Sequence, residues 1–332
     1  MKNLSTLLIA ICAAGLLLAC SKTVEEVVQQ PTIKEKQAIF QTYSAEEFYK
    51  TTSVFGSSIN ADASAVLISS DETGIFNAYK VPLDGSTPVQ LTHSTLESIF
   101  VVGWFPKDDR ILYSADKGGN ELNHLYVREL SGTEKDLTPG EGLKANFIGW
   151  HENHQDFFVA TNERNAKFFD VYRYQNNDYA RQLVYQNDAG YSIESVSPNG
   201  QYIALSKTNT NADSNLYLVN LHDENKQAEL ITEHQGAVQH STYTFTYDSK
   251  QLIYSTDEFG EYKQAWAYDV QEKTSAVNYA ANWDVSFTYF SKDGRYQITG
   301  VNEDAQTKIK IHDLTSNKLL SLPNLPSGDL HG

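Results

Sequence analysis

Few side chains in this sequence are spaced to do chemistry. His151 and His154, in HENH, are the nearest approach to a metal pair. A zinc site needs further His or carboxylate donors from elsewhere, and HENH falls in a turn where solvated polar residues are expected. Nucleophilic catalysis would need a serine on a strand-to-helix elbow, G-x-S-x-G, with a base beside it. No such elbow occurs: Gly56-Ser57-Ser58 runs into Ile59-Asn60, and Gly85-Ser86 into Thr87-Pro88. A strand–glycine loop–helix phosphate motif is absent too. The sequence therefore predicts no catalytic residue, no metal site and no cofactor in this chain.

One charged pattern does recur. Asp71-Glu72, Asp116, Asn162-Glu163, Thr208-Asn209, Asp257-Glu258 and Asn302-Glu303-Asp304 each follow an apolar, β-rich run. Asp71, Glu72, Asp116, Glu163, Asp257, Glu258, Glu303 and Asp304 thus form a candidate acidic rim. Such a rim attracts cationic groups, a peptide amino terminus for example, or orders a partner domain. Polar loops of any acidic protein carry the same residues, and the sequence alone does not separate the two readings.

The elements that position these loops are strands. Phe100 to Thr138 reads as FVVGWF, RILYSA, HLYVREL and KDLT, separated by PKDD, DKGGNELN and SGTE. A meander this short cannot bury both faces alone, so it must stack on copies of itself. Copies are present. VLIS, ILYS, FFVA, IALS, LIYS and QITG place Ser69, Ser114, Ala160, Ser206, Ser255 and Gly300 in one register, at spacings of 45, 46, 46, 49 and 45. A β-sandwich also has regularly spaced strands, but not a four-strand unit recurring in phase. The expected fold is all-β, a propeller of four-stranded blades at 52–92, 99–138, 145–187, 191–233, 239–280 and 284–323. Trp104 and Trp150 close the first strands of two neighbouring blades and are expected to fill the space between them. Because strand direction repeats, all the acidic loops must project from one face. That face also carries the links between blades.

Before the blades come three segments. Leu7 to Leu18 is apolar but too short to span a membrane, and it sits where a secretory leader belongs. It ends in LLAC, which resembles the bacterial lipobox; the alternative is an uncleaved helix with an incidental cysteine. The resemblance implies a signal peptide at 1–19, lipidation at Cys20 and, with Ser21 following, an outer-membrane protein facing the periplasm. Residues 20–42 read as a flexible tether. Ser44 with Glu47 three residues on is a capping box, predicting a short helix within 43–51. Cys12 and Cys20 are the only cysteines, so the mature chain can form no disulfide. The formal charge of −16 and the lack of any Lys/Arg cluster argue against nucleic acid as a partner.

The order YSAEEFYKTTSVFGSSINADAS, VPLDGSTPVQLTHS, GWFPKDDRILYSADKGGNELNHLYVREL and KDLTPGEG resembles the propeller of the prolyl oligopeptidase family. The likeness is greatest to bacterial acylaminoacyl- and dipeptidyl-peptidase-like members, and it runs from about Tyr43 onward. It implies a seven-bladed propeller that caps an α/β-hydrolase domain bearing a Ser-Asp-His triad and admits only short or unstructured peptides. Here six repeats are present, residues 324–332 read as the start of a truncated continuation, and no family catalytic residue maps onto any position. The function so implied is the substrate-gating, non-catalytic portion of an exported serine peptidase. Its partners would be the membrane, through the N-terminal lipid, and short peptides or a hydrolase domain. The alternative is a TolB-like, six-bladed envelope lipoprotein that binds a protein partner.

Overall fold

A computed structural model describes residues 42–323. The leader, Cys20, most of the tether and the stretch 324–332 lie outside the described residues.

The described residues open with one helical turn or so, Ala45–Tyr49, which belongs to a separate unit ending at Thr51. Its capping box forms as the sequence predicts. The Glu47 amide donates to Ser44 Oγ at 3.1 Å, and the Ser44 amide donates back to Glu47 Oε2 at 2.9 Å.

The second unit, from Thr52 on, contains six four-stranded antiparallel sheets, each with its strands in chain order. The first strands are Val54–Ile59, Phe100–Trp104, Ala145–Trp150, Ser192–Val196, His240–Phe245 and Asp284–Phe290. The fold is a β-propeller of six four-stranded blades. The register read from the sequence is the register of the sheets. Ser69, Ser114, Ala160, Ser206, Ser255 and Gly300 pair on the inner side with Phe55, Phe100, Asn146, Ser192, Ser241 and Phe287. Each first–second strand pair also contains a bulge, which adds the twist a blade needs.

Between blades, the alternate side chains of each sheet interlock. Leu67 and Ala78 of blade one pack on Ile111 and Tyr113 of blade two. Leu112 and Leu125 pack on Phe157 and Val159 of blade three. Phe158 and Val171 meet Ile203 and Val219, Leu216 meets Leu252 and Tyr268, and Ile253 with Ala265 meets Val285. Trp104 is buried in the first of these clusters and Trp150 borders the second, as spacers between blades. Among the described residues no such cluster joins blade six to blade one.

Candidate functional site

The two faces of the propeller are built differently. On the face of the second-to-third-strand connections, two acidic residues and an asparagine serve as backbone latches. Asp71 accepts the amide of Ser53 at 2.7 Å, Asn162 that of Lys144 at 2.7 Å and Asp257 that of Gln239 at 2.8 Å. In each case the two residues are 18 apart: Asp71 and Asp257 directly follow their second strands, Asn162 lies within the longer one of blade three, Asp156–Asn165, and each ties down the residue before the first strand. A carboxylate or amide oxygen is the group that can satisfy this otherwise unpaired amide.

The rest of the expected rim is dispersed. Asp116 accepts the amide of Glu121 within its own loop, at 2.8 Å. Glu163 is paired with Arg181. Glu258 lies 3.6 Å from His240, whose other nitrogen faces the Ser214 carbonyl at 3.0 Å. Burial pulls the pKa of His240 down, while the Thr232 carbonyl and Asp213 hold that of the adjoining His234 up. Glu72, Glu303 and Asp304 are exposed. The eight residues share a face, but each is engaged in its own blade or free in solvent. They do not converge.

This face also carries apolar side chains that are exposed or half-buried. Phe55, Phe76 and Phe100 form a ring triangle with centroids 4.8 to 5.7 Å apart. Of these Phe55 is exposed, as are Leu96 and Trp283 in the inter-blade links and Phe259 in a second-to-third-strand loop. Exposed apolar groups gathered on one face mark a contact surface.

On the opposite face the turns after the first strands form a continuous belt. Asn60 of blade one donates to Asp109 of blade two at 3.4 Å. Lys107 donates to the Asn153 carbonyl at 3.3 Å, and the Glu152 amide to the Pro198 carbonyl at 2.7 Å. The Asn199 amide donates to Ser249 Oγ at 3.0 Å. Tyr247 packs on Gly294, where a Cβ would come within 2.7 Å of the tyrosine's own. Lys292 Nζ closes the belt by donating to the Ile59 carbonyl of blade one at 2.9 Å.

The belt surrounds a cavity of 450 Å³ to which all six blades contribute. Its wall is aromatic: Trp104, Trp150, Phe245, Tyr247, Tyr289 and Phe290. Each blade contributes to its lining the residue two past the end of its first strand, Ala61, Pro106, Glu152, Pro198, Tyr247 and Lys292. This mouth went unnoticed in the sequence, yet these six positions recur with spacings 45, 46, 46, 49 and 45, identical to the strand register. Reading the repeat two residues past the end of each first strand would have found it.

The HENH histidines both border this mouth but do not form a pair. His151 stacks on Phe158 with ring centroids 6.1 Å apart, and burial keeps its pKa low. His154 is exposed in a left-handed turn with φ of 55°. Among the described residues no three His, Cys, Asp or Glu are grouped to hold a metal ion.

The fold and these two faces place the molecule among β-propellers. Residues 98–328 match the family described as the N-terminal β-propeller domain of prolyl oligopeptidase, and the chain belongs to that family. A dipeptidyl aminopeptidase BIII from Pseudoxanthomonas mexicana is 33% identical over 119 residues, which are 35% of this chain and 17% of that protein. Among solved structures, a prolyl endopeptidase superposes with a TM-score of 0.61 at 12% identity, covering 84% of this chain and 44% of the other. An oligogalacturonate lyase in complex with manganese gives 0.63 at 13% identity, covering 81% and 77%. TolB from Acinetobacter baumannii gives 0.50 at 15% identity, covering 83% and 64%. At these identities the solved structures speak to the fold alone. The chain spans less than half the length of the peptidases it resembles.

Proposed function

We propose that this chain is the substrate-gating propeller of an exported prolyl-oligopeptidase-like serine peptidase, non-catalytic by itself. The family match over residues 98–328 carries the reading. The exposed Phe55, Leu96, Phe259 and Trp283 on the face of the inter-blade links support it, as an apolar seat for an α/β-hydrolase domain. The propeller would then act as a filter, passing short peptides and excluding folded ones. The purified protein should match the buffer blank on aminoacyl-nitroanilides, because acyl transfer needs a base-activated nucleophile. Turnover abolished by a serine-directed inhibitor would overturn this. A hydrolase domain of the family, supplied separately, should bind, and Phe259→Asp together with Leu96→Asp should weaken that binding.

A second reading, a TolB-like envelope protein that binds a protein partner, is favoured by one observation: the Lys292–Ile59 contact closes the belt with six blades. Failure of a hydrolase domain to bind, with capture of an envelope protein instead, would promote it. In either reading Cys20 is the proposed lipid anchor at the periplasmic side of the outer membrane. A Cys20→Ser protein should take up no label from a lipid precursor; labelling that persists would refute the anchor.

A further inference from the structure

Two imidazoles where blade four leads into blade five are held in different protonation states by their surroundings. His234 Nδ1 faces the Thr232 carbonyl at 2.9 Å, and its Nε2 faces the Asp213 carboxylate at 3.1 Å. Both partners only accept, so both ring nitrogens donate and the ring is a cation. His240 lies beside it, with ring centroids 5.0 Å apart, and is 2% exposed. Its Nδ1 faces the Ser214 carbonyl at 3.0 Å and therefore carries a proton. Its Nε2 looks toward a Glu258 oxygen at 3.6 Å, too far for a hydrogen bond. A ring lone pair and a carboxylate thus confront each other for as long as His240 is neutral. Burial, and then the His234 cation, favour that neutral state by lowering the His240 pKa. The other ionisable groups nearby are Tyr254, 6.0 Å away and kept protonated by burial, and Glu194 and Lys263, which line the cavity beside His240. In the paired register Val54, Ala145 and Val285 of other blades stand where His240 does, so packing alone does not call for an imidazole.

We propose that a proton taken up at His240 Nε2 closes a hydrogen bond to Glu258 and so fixes the loop between the second and third strands of blade five in acid. The proton comes from solvent and occupies the ring lone pair. A movement of under about 1 Å then turns the 3.6 Å contact into a charge-assisted bond of about 2.8 Å. The loop is placed to respond. It is pinned at one end by Asp257, which accepts the Gln239 amide at 2.8 Å, and at the other by the Lys263 amide, which donates to Asp284 at 2.7 Å. Between these points the Glu258 carboxylate has no nearer partner among the described residues. Phe259 follows it, exposed, with its ring on Trp266 at a centroid distance of 4.2 Å. His240 and Glu258 directly follow Gln239 and Asp257, so a permanent latch has a titrating one beside it. Closing it holds Phe259 in place on the face of the inter-blade links. Any effect on a docked hydrolase domain rests on the gating reading; the latch itself does not.

The test has two readouts on the full chain. Nitrogen-15 spectra of labelled histidines, assigned with His234→Gln and His240→Asn, follow each ring nitrogen from about pH 7.5 to about pH 4.5, across the ordinary histidine value of about 6.5. At the upper end His234 should carry protons on both nitrogens and His240 on Nδ1 alone; His240 should gain its second proton below the ordinary value. Amide hydrogen exchange over residues 258–262 then reads the loop, with the native protein and Glu258→Ala compared at matched pH so that intrinsic exchange cancels. The two should agree at the upper pH, and the native loop should exchange about threefold more slowly at the lower one. His240→Asn keeps a donor for the Ser214 carbonyl but lacks Nε2, and should behave as Glu258→Ala does. If it fails to fold, Glu258→Ala still decides, since it removes no hydrogen bond present in the neutral state. A proton on His240 Nε2 at the upper pH, none there at the lower, or equal exchange in the native protein and Glu258→Ala at the lower pH would each overturn the proposal. Failure of a hydrolase domain to dock would bear on the gating reading and leave these results standing.

Discussion

The seam between blades five and six and the one between blades six and one are made from the same strand chemistry and end up differently buried. On the side of blade five that looks toward the next blade, Ile253, Ala265 and Ala267 are 0%, 0% and 7% exposed. The residues in the same register on blade six are Ile298, Ile309 and Ile311, and they are only half-buried. Across the gap, Val66 and Ile68 of blade one are half-buried where their counterparts Leu252 and Tyr254 are buried. The repeat makes each blade face apolar, but burial depends on a neighbour being there to cover it. The seam between six and one is tied at one end by Lys292 and is not filled through its depth.

This contrast should be visible in stability. Phe157→Ala, inside the seam between blades two and three among Phe105, Trp150 and Tyr174, should cost about 3–5 kcal/mol in urea unfolding. Ile309→Ala, at the open seam, should cost about 1 kcal/mol, because its side chain gains less from folding. Equal losses at the two sites would mean that the open seam is filled in solution. The next test is the belt. Gly294 has a φ of 70° and lies against Tyr247, so Gly294→Ala adds both backbone strain and overlap and should cost roughly 2 kcal/mol. Adding Tyr247→Gly, which removes the Cβ as well as the ring, should recover part of that loss if overlap is the cause.

A smaller effect separates the latches from the free part of the acidic face. Asp257→Ala removes the acceptor of the Gln239 amide and should lower stability by about 1 kcal/mol. Glu303→Ala should leave the melting temperature unchanged, because that side chain is exposed. Similar losses at both would point to a cooperative acidic surface. The mildest test is with acid, on blade six. The bond from Arg295, with the amides of Ser316 and Thr315, holds the Asp313 pKa down at about 2. A folded pKa below the unfolded one means that the folded state binds fewer protons. This contribution is therefore complete above the ordinary carboxylate range of about 4 and fades as pH falls toward 2. The difference in urea midpoint between the native protein and Asp313→Asn should shrink over that interval. A constant difference would sever the link to titration.

The strands were legible because their alternation and period act over short distances. Ser69 through Gly300 keep one register in the sequence and in all six sheets. The capping box at Ser44 and Glu47 was equally local. The acidic loops were legible as positions but not as roles. Whether Asp71 points to solvent or to the Ser53 amide depends on how the incoming chain passes the sheet, which no residue type encodes. The mouth was hidden for a related reason. Ala61, Pro106, Glu152, Pro198, Tyr247 and Lys292 share no chemistry, and only the closure of the ring brings them together.

The 18-residue latch also divides the chain into lengths that can drift and lengths that cannot. In the blades that carry it, the inner hairpin must return its second strand to a fixed amide, so an inserted residue there would break the tie. The widest departure in the repeat, the spacing of 49 between Ser206 and Ser255, is taken up elsewhere. Blade four joins its third and fourth strands through residues 221–228, whereas blade five needs only 270–273. Outer turns are therefore where this propeller can accept foreign sequence. A fluorescent tag or an affinity peptide spliced at Asp223-Glu224 should be carried without loss of assembly, while the same insert at Asp62-Ala63 should not.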